Sequence, residues 1–322
     1  MAAYLLRRIL LLIPTLLGIS VVLFIVIRVL PPQDAIDQII ADYGANDPTL
    51  KQDLEQALGM DGSMISQYLA WLGDTLRGDL GTSLHTRRPI IDDLKWRIPI
   101  SFELSLIGLF FTWLISFPLG IASAVYQDRL PDYALRGTAY LINSIPTFAL
   151  AILLITWLAV EFNYAPPPKF TYPWDDFGNH VRIMLLPTIL IGVGAAGALI
   201  RFTRTILLEV LRQDYIRTAR AKGLRERRVL YSHALRNVAI PFLTIIGAAV
   251  PGLLTSSVLL EQIFLLPGMG RYLVEAAARL DYPVIMATTM MFTLIALIAD
   301  LAVDCTYALV DPRISYRRGP GR

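Results

Sequence analysis

Four stretches of this chain, residues 104–126, 137–160, 183–200 and 238–260, contain no Asp, Glu, Lys or Arg, and a fifth, 9–30, contains only Arg28. A sixth, 284–309, carries Asp300 and Asp304. About 20 apolar residues are what a helix needs to cross the hydrocarbon layer of a bilayer. With 55% hydrophobic residues among 322 and a mean hydropathy of +0.55, the apolar content exceeds what a soluble core would bury. The fold class expected is therefore all-α, a polytopic membrane protein with six transmembrane helices. The first run follows Arg7 and Arg8, as a secretory leader would. It is longer than the roughly 7–15 residues of a leader's apolar region, and no small-residue cleavage site precedes Pro31 and Pro32, so it reads as a retained span.

Charge sets the orientation. With the N-terminus inside, segments 1–8, 127–136, 201–237 and 310–322 hold 18 bases and 6 acids, net +12. Segments 31–103, 161–182 and 261–283 hold 10 bases and 18 acids, net −8. Lys and Arg concentrate on the cytoplasmic side of membrane proteins, which places both termini in the cytoplasm. The formal charge of +3 conceals this asymmetry and gives no reason to expect nucleic acid as a partner. The partner common to all these runs is the lipid bilayer. Cys305, the only cysteine, cannot form an intrachain disulfide, and His85, His180 and His233 fall in three different connections, where structural or surface roles are expected. No Cys/His spacing suggests a metal site.

Two connections are long enough to be organised. In 31–103, the stretches 50–58 and 65–76 have helical apolar spacing, the second placing Ile65, Tyr68, Leu69, Leu72 and Leu76 on one face. Gly78, Asp79 and Gly81 then mark a turn. In 201–237, ten bases face three acids, and Leu207, Leu211, Tyr215 and Ala219 recur every four residues, so the fourth span is expected to continue as an amphipathic helix. Gly223 suits the left-handed position past a helix end, and 226–236 leads back to the membrane as a second helix. Pro118, Pro146, Pro187 and Pro251 interrupt apolar runs, while Gly192, Gly194 and Gly197 suit close helix approach. The stretch 164–174, with Pro166, Pro167, Pro168 and Pro173, reads as a rigid outside loop. The parts read as 1–103, a first span plus outside region; 104–311, a five-helix core; and 312–322, a basic tail.

The chain has no GxxxxGK[ST] loop, no GxGxxG after a strand, no HExxH and no GxSxG turn, so no catalytic residue is assigned. An ion-coupled carrier needs ionisable groups inside the membrane. The candidates are Asp300 and Asp304, one helical turn apart, which read either as a structural charge pair with basic loops or a partner's arginine, or as a cation site. Arg28 can snorkel to the interface, and Glu103 reads as interfacial.

The residues Tyr215, Ile216, Arg217, Thr218, Ala219, Arg220, Ala221, Lys222, Gly223 and Leu224, followed by His233, Ala234, Leu235, Arg236, Asn237, Ile240 and Pro241, resemble the cytoplasmic loop of a known family. That family is the inner-membrane permeases of binding-protein-dependent ABC importers, in the dipeptide/oligopeptide subfamily. The general family opens this motif with Glu-Ala-Ala. Arg217, Thr218 and Ala219, with a longer spacing to the proline, resemble the peptide-type variant. Gln67, Tyr68, Trp71 and Leu72 with Gly78, Asp79, Leu80, Gly81 and Ser83 resemble the subfamily's first outside region. Pro267, Gly268, Met269, Gly270 and Arg271 with Asp281, Tyr282 and Pro283 resemble its last outside loop. Asp304, Tyr307, Asp311, Pro312 and Arg313 resemble its C-terminal signature.

The resemblance implies a type I ABC importer-like transmembrane domain in a bacterial-type inner membrane. Tyr215, Arg217, Thr218, Ala219, Ala221, Lys222, Gly223 and Leu224 would couple to an ATPase, and Gly78, Asp79, Gly81, Pro267, Gly268 and Gly270 would form a binding-protein docking or gating loop. It implies as partners a second homologous permease, two ATPase subunits and an extracytoplasmic substrate-binding protein. No cofactor is expected on this chain, ATP and Mg lying on the ATPase subunits. Di- or oligopeptides are the implied cargo. Oligosaccharides, nickel complexes or glutathione, and beyond those an ion-coupled carrier using Asp300 and Asp304 or a membrane scaffold with no transport role, remain as alternatives.

Overall fold

The computed structural model describes residues 2–29, 63–167 and 169–310. Among these the only non-helical pairing is an isolated antiparallel bridge between Thr82 and Pro89. In chain order the elements are α1 (Ala2–Val29), α2 (Met64–Leu76), α3 (Ile90–Val125), α4 (Leu130–Ser144), α5 (Thr147–Phe162), α6 (Phe177–Leu211) and α7 (Asp214–Ala221). They continue with α8 (Glu226–Arg228), a π-helical turn (Val229–Ala234), α9 (Leu235–Ile263), α10 (Met269–Ala278) and α11 (Tyr282–Val310). The expected helix at 50–58 and the tail beyond 310 lie outside the described residues.

Four helices are long and apolar enough to cross a membrane among the described residues: α1, α3, α6 and α11. α9 is a further helix of 29 residues, about 43 Å long at the α-helical rise. The run 137–160 is not one straight span. It breaks between Ser144 and Thr147, where α4 and α5 meet at 95°, and counts as a crossing only if the bent pair is taken together. The cause is Pro146. It brings no N–H and disfavours the helical conformation in the residue before it, and Ile145 is accordingly extended at φ −102°, ψ 121°. Pro187, by contrast, sits inside a continuous α6.

The described chain divides into two compact units. One holds residues 103–264 and the helix from 298 on. Here α6 is the helix others pack against, because its glycines leave room. A Cβ on Gly192 would lie 2.5 Å from the Cβ of Phe111 on α3, and one on Gly197 would lie 2.5 Å from the carbonyl oxygen of Ala139 on α4. A Cβ on Gly194 would collide with the hydroxyl of Thr147 on α5. The expectation of close helix approach is met at all three residues, against the neighbour's backbone at Gly192 and Gly197 and against a side chain at Gly194.

The second unit holds 63–102 with α1 and residues 265–297. α2 starts at Ser63, whose hydroxyl accepts from the Ser66 amide at 3.3 Å and so caps one of the free N–H groups of the first turn. Its packed face differs from the one expected. Ile65, Leu69 and Leu76 are exposed, while Tyr68 and Trp71 turn inward onto Phe24 of α1, with ring centroids 5.4 and 6.1 Å away. The Tyr68 hydroxyl also meets that of Ser20 at 2.8 Å. Aromatic contacts, with a partner for the polar tip, decide the face over aliphatic spacing.

Gly197→Ala is expected to destabilise the chain by about 1–3 kcal/mol, because a backbone carbonyl cannot yield to the new methyl group. Gly137→Ala, on the exposed side of α4 with nothing within 4 Å, should be neutral or stabilising by up to about 1 kcal/mol. Thermal unfolding of the two purified variants in one detergent checks the contrast.

Candidate functional site

The loop 201–237 folds as a helix, a glycine and a returning helix, with two departures from the expected form. α6 does not run on to Ala219. It stops at Leu211, Gln213 is extended at φ −69°, ψ 150°, and α7 begins afresh at Asp214. The break turns Ile216 and Ala219 into a core with Leu207, Val229, Ala234, Val238 and Ala124. The returning helix is also not uniformly α. After the single turn of α8 it widens into the π-turn, where the Leu235 amide donates to the carbonyl of Leu230, five residues back.

Gly223 takes φ +76° just past the end of α7, with its amide donating to Arg220 at 2.9 Å. This is the left-handed cap for which glycine is suited. Of the residues assigned to coupling, Tyr215, Arg217, Thr218, Ala221, Lys222 and Gly223 are exposed on one contiguous surface. Ala219 is buried and Leu224 half-buried against the core beneath. The face is pinned from both sides. Asn237 donates to the Tyr215 hydroxyl at 2.9 Å, and Arg220 makes a two-pronged pair with Glu226 at 2.8 and 3.3 Å across the Gly223 turn. The element is a short polar helix held on an apolar base.

Just above this core lies a charged cluster that the sequence did not single out. Asp132, counted as one of the acids of a short connection, is fully buried on the first turn of α4. Arg204 of α6 clamps it with two hydrogen bonds of 2.8 and 2.7 Å. Ser123 donates to it at 2.5 Å and the Asp128 amide at 3.0 Å. The only sequence signal was an acid in the first turn of an amphipathic stretch, which any helix N-terminus favours. Glu103 and His180 form a second such pair. His180 is buried, with Nε2 at 2.7 Å from Glu103 and Nδ1 at 2.8 Å from the Thr171 carbonyl oxygen. Glu103 is thus paired within the protein rather than simply interfacial.

In the same unit α4, α5, α6 and α9 border a groove of about 520 Å³. Its wall is small and apolar, with Asn143, Thr147 and Ser256 as the polar points and Phe202 as the one aromatic.

In the second unit, Gly78 and Gly81 have φ +86° and +80°, and Asp79 accepts from the Gly81 amide at 2.9 Å, so the expected turn is present and exposed. Asp281 reaches that loop, accepting from the Ser83 hydroxyl at 2.6 Å and the Leu84 amide at 3.2 Å. Pro267, Gly268 and Gly270 are placed otherwise. Gly268 and Gly270 are buried and Pro267 half-buried; Gly268 caps α10, and the next amide, that of Met269, donates to Ser101 at 2.8 Å. They build the packed base of the loop rather than its surface. Burial, with the nearby Asp93 carboxylate that its hydroxyl contacts at 3.1 Å, holds the Tyr272 phenol well above its usual range. Asp300 is exposed and makes no ion pair among the described residues, and the Asp304 side chain lies outside them.

Residues 116–316 match the family described as binding-protein-dependent transport system inner membrane component. The oligopeptide transport system permease protein AppB of Bacillus subtilis (strain 168) is 37% identical over 98% of this chain and 100% of its own length. The dipeptide transport system permease protein DppB of the same organism is 36% identical over 99% of each. A solved structure of the MetNI methionine ABC transporter in inward-facing conformations superposes with a TM-score of 0.57 at 15% identity, covering 68% of this chain and 96% of the other, a likeness of fold.

Asp132→Ala is expected to cost about 3–5 kcal/mol, because it leaves the largely buried Arg204 guanidinium without its carboxylate. Asp92→Ala, which breaks the exposed pair with Lys95 at 2.9 Å, should change stability by less than about 1 kcal/mol. Unfolding midpoints of the two variants measured side by side check the difference.

Proposed function

The chain belongs to the family of binding-protein-dependent transport system inner membrane components, and on that premise we propose that it is a pore-forming permease subunit of an ATP-driven importer of di- and oligopeptides. The two relatives are peptide permeases by name, which favours peptides over oligosaccharides and nickel complexes as cargo; glutathione is itself a small peptide. The subunit is membrane-embedded and supplies a pathway rather than a reaction. Its N- and C-termini lie in the cytoplasm, a reading supported by the net +12 of the inside segments against −8 outside. ATP and Mg bind to two separate ATPase subunits, a second homologous permease completes the pathway, and a soluble binding protein delivers the cargo from outside.

The observation that carries the coupling role is the exposed polar face of α7, backed by buried Ile216 and Ala219 and closed by the left-handed Gly223. Seated in a groove of the ATPase, such a helix transmits closure of the nucleotide sites as a rigid body, tilting the attached spans between inward- and outward-open states. Arg217 and Lys222 offer charge to the partner, while Ala219 works from beneath by seating the helix. The groove beside Asn143, Thr147 and Ser256 forms part of the pathway wall. It carries few polar groups, so selection among cargoes falls to the binding protein.

The test is uptake of a labelled peptide into proteoliposomes holding the assembled complex. Arg217→Glu should lower ATP-driven uptake roughly tenfold or more, one like-charge contact being enough, while the complex still assembles. Gly223→Trp should leave ATP hydrolysis running without uptake. Unchanged coupling in both variants, or uptake sustained by a proton gradient without ATP, would sink the reading.

A further inference from the structure

At the level where the apolar walls of α3 and α6 give way to the basic loop, the chain leaves a half-open cavity of about 640 Å³. Its lining combines two chemistries. One is hydrocarbon, made by Val125 at the end of α3, Leu208 and Leu211 in the last turn of α6, and Leu230 on the π-turn. The other is basic, made by Arg212, Arg220 and Arg227 with the exposed ring of Tyr231.

The charges of these basic groups are not balanced. Glu226 is the one acid lining the cavity, and both its oxygens are taken by Arg220 at 2.8 and 3.3 Å. Arg212 and Arg227 make no ion pair with any described residue. Arg227 lies over the Tyr231 ring at 5.8 Å from its centroid. The same two residues line an adjoining depression of about 360 Å³ together with Arg225 and Arg228, again without an acid.

A solvated face obeying the topology rule needs bases but no cavity and no leucines. A small soluble anion would use the guanidinium groups and gain nothing from the apolar wall. The ligand that satisfies both kinds of lining is an amphiphile with a negative head and a hydrocarbon body. Arginine forks match phosphate oxygens in pairs, and basic pockets beside membrane helices suit anionic head groups. We propose that this cavity is a binding site for one anionic phospholipid. Its phosphate would rest on Arg212 and Arg227, its glycerol and first acyl carbons against Leu208, Leu211 and Val125. The site lies against the Arg220–Glu226 pair, so its occupant braces the turn that carries Gly223. The inference rests on the cavity alone and stands apart from the transport reading.

The full chain, purified in detergent with equimolar phosphatidylglycerol and phosphatidylcholine, is analysed for retained lipid by native mass spectrometry. The wild type should retain phosphatidylglycerol over phosphatidylcholine by roughly tenfold or more, as two basic groups near an anionic head supply. Arg212→Gln with Arg227→Gln should bring the ratio to parity. Arg212→Lys with Arg227→Lys, which keeps the charge, should preserve most of the preference, and Arg182→Gln, a distant exposed base, should not alter it. Equal retention of both lipids by the wild type, or a preference that survives the double glutamine change, overturns the proposal. So does displacement by glycerol 1-phosphate as effective as by a short-chain phosphatidylglycerol, which would make the site one for a soluble phosphate. Loss of the lipid when an ATPase subunit binds would likewise assign these arginines to a protein partner and overturn it.

Discussion

A carboxylate taken out of water must have its charge answered by the protein, and around α6 that answer organises the fold. Asp132 is reached by Arg204 of α6, Ser123 of α3 and the Asp128 amide of the connection before α4. The Arg204 pair sets how α4 lies along α6. Seven residues further along α4 and seven back along α6, two helical turns in each, Ala139 meets Gly197. A register fixed at one end by charge is thus used at the other by backbone contact. The same helix carries the core on which α7 is seated.

Much of this was legible in advance. Run length and charge counts identify membrane helices because a bilayer imposes length and polarity directly on sequence. The Gly223 cap was legible because only a residue without a Cβ adopts that conformation freely, and the packing of Gly192, Gly194 and Gly197 because small residues recur where helices must approach. What escaped was whatever depends on a distant partner. Asp132 and Arg204 are 72 residues apart and Glu103 and His180 are 77, so reading each residue within its own connection hides both pairs. Pro146 reads as an interruption of an apolar run, as Pro187 does, and the sequence alone does not say which of the two bends the chain. α6 continues through Pro187, whereas α4 and α5 meet at 95° beside Pro146.

The outside motifs teach a related lesson. Gly78 and Gly81 are glycines because of their backbone conformation and stand at the surface, where a partner can reach them. Gly268 and Gly270 occupy a similar-looking motif but are buried at the start of α10, a difference of surroundings rather than of residue type. A glycine in a sequence announces a demand on space without saying whether solvent, another chain or its own fold makes it.

The π-turn between α8 and α9 fits one residue more into its circuit than an α-helix would. Each residue of an α-helix advances the azimuth by about 100°. The extra one therefore sets the angular phase of the 29-residue helix that follows, and with it which of its sides holds Ile245, Leu253 and Ser256 toward the groove. Six residues near the loop thus act as an indexing notch. They decide which way a whole shaft faces while leaving its position and length untouched.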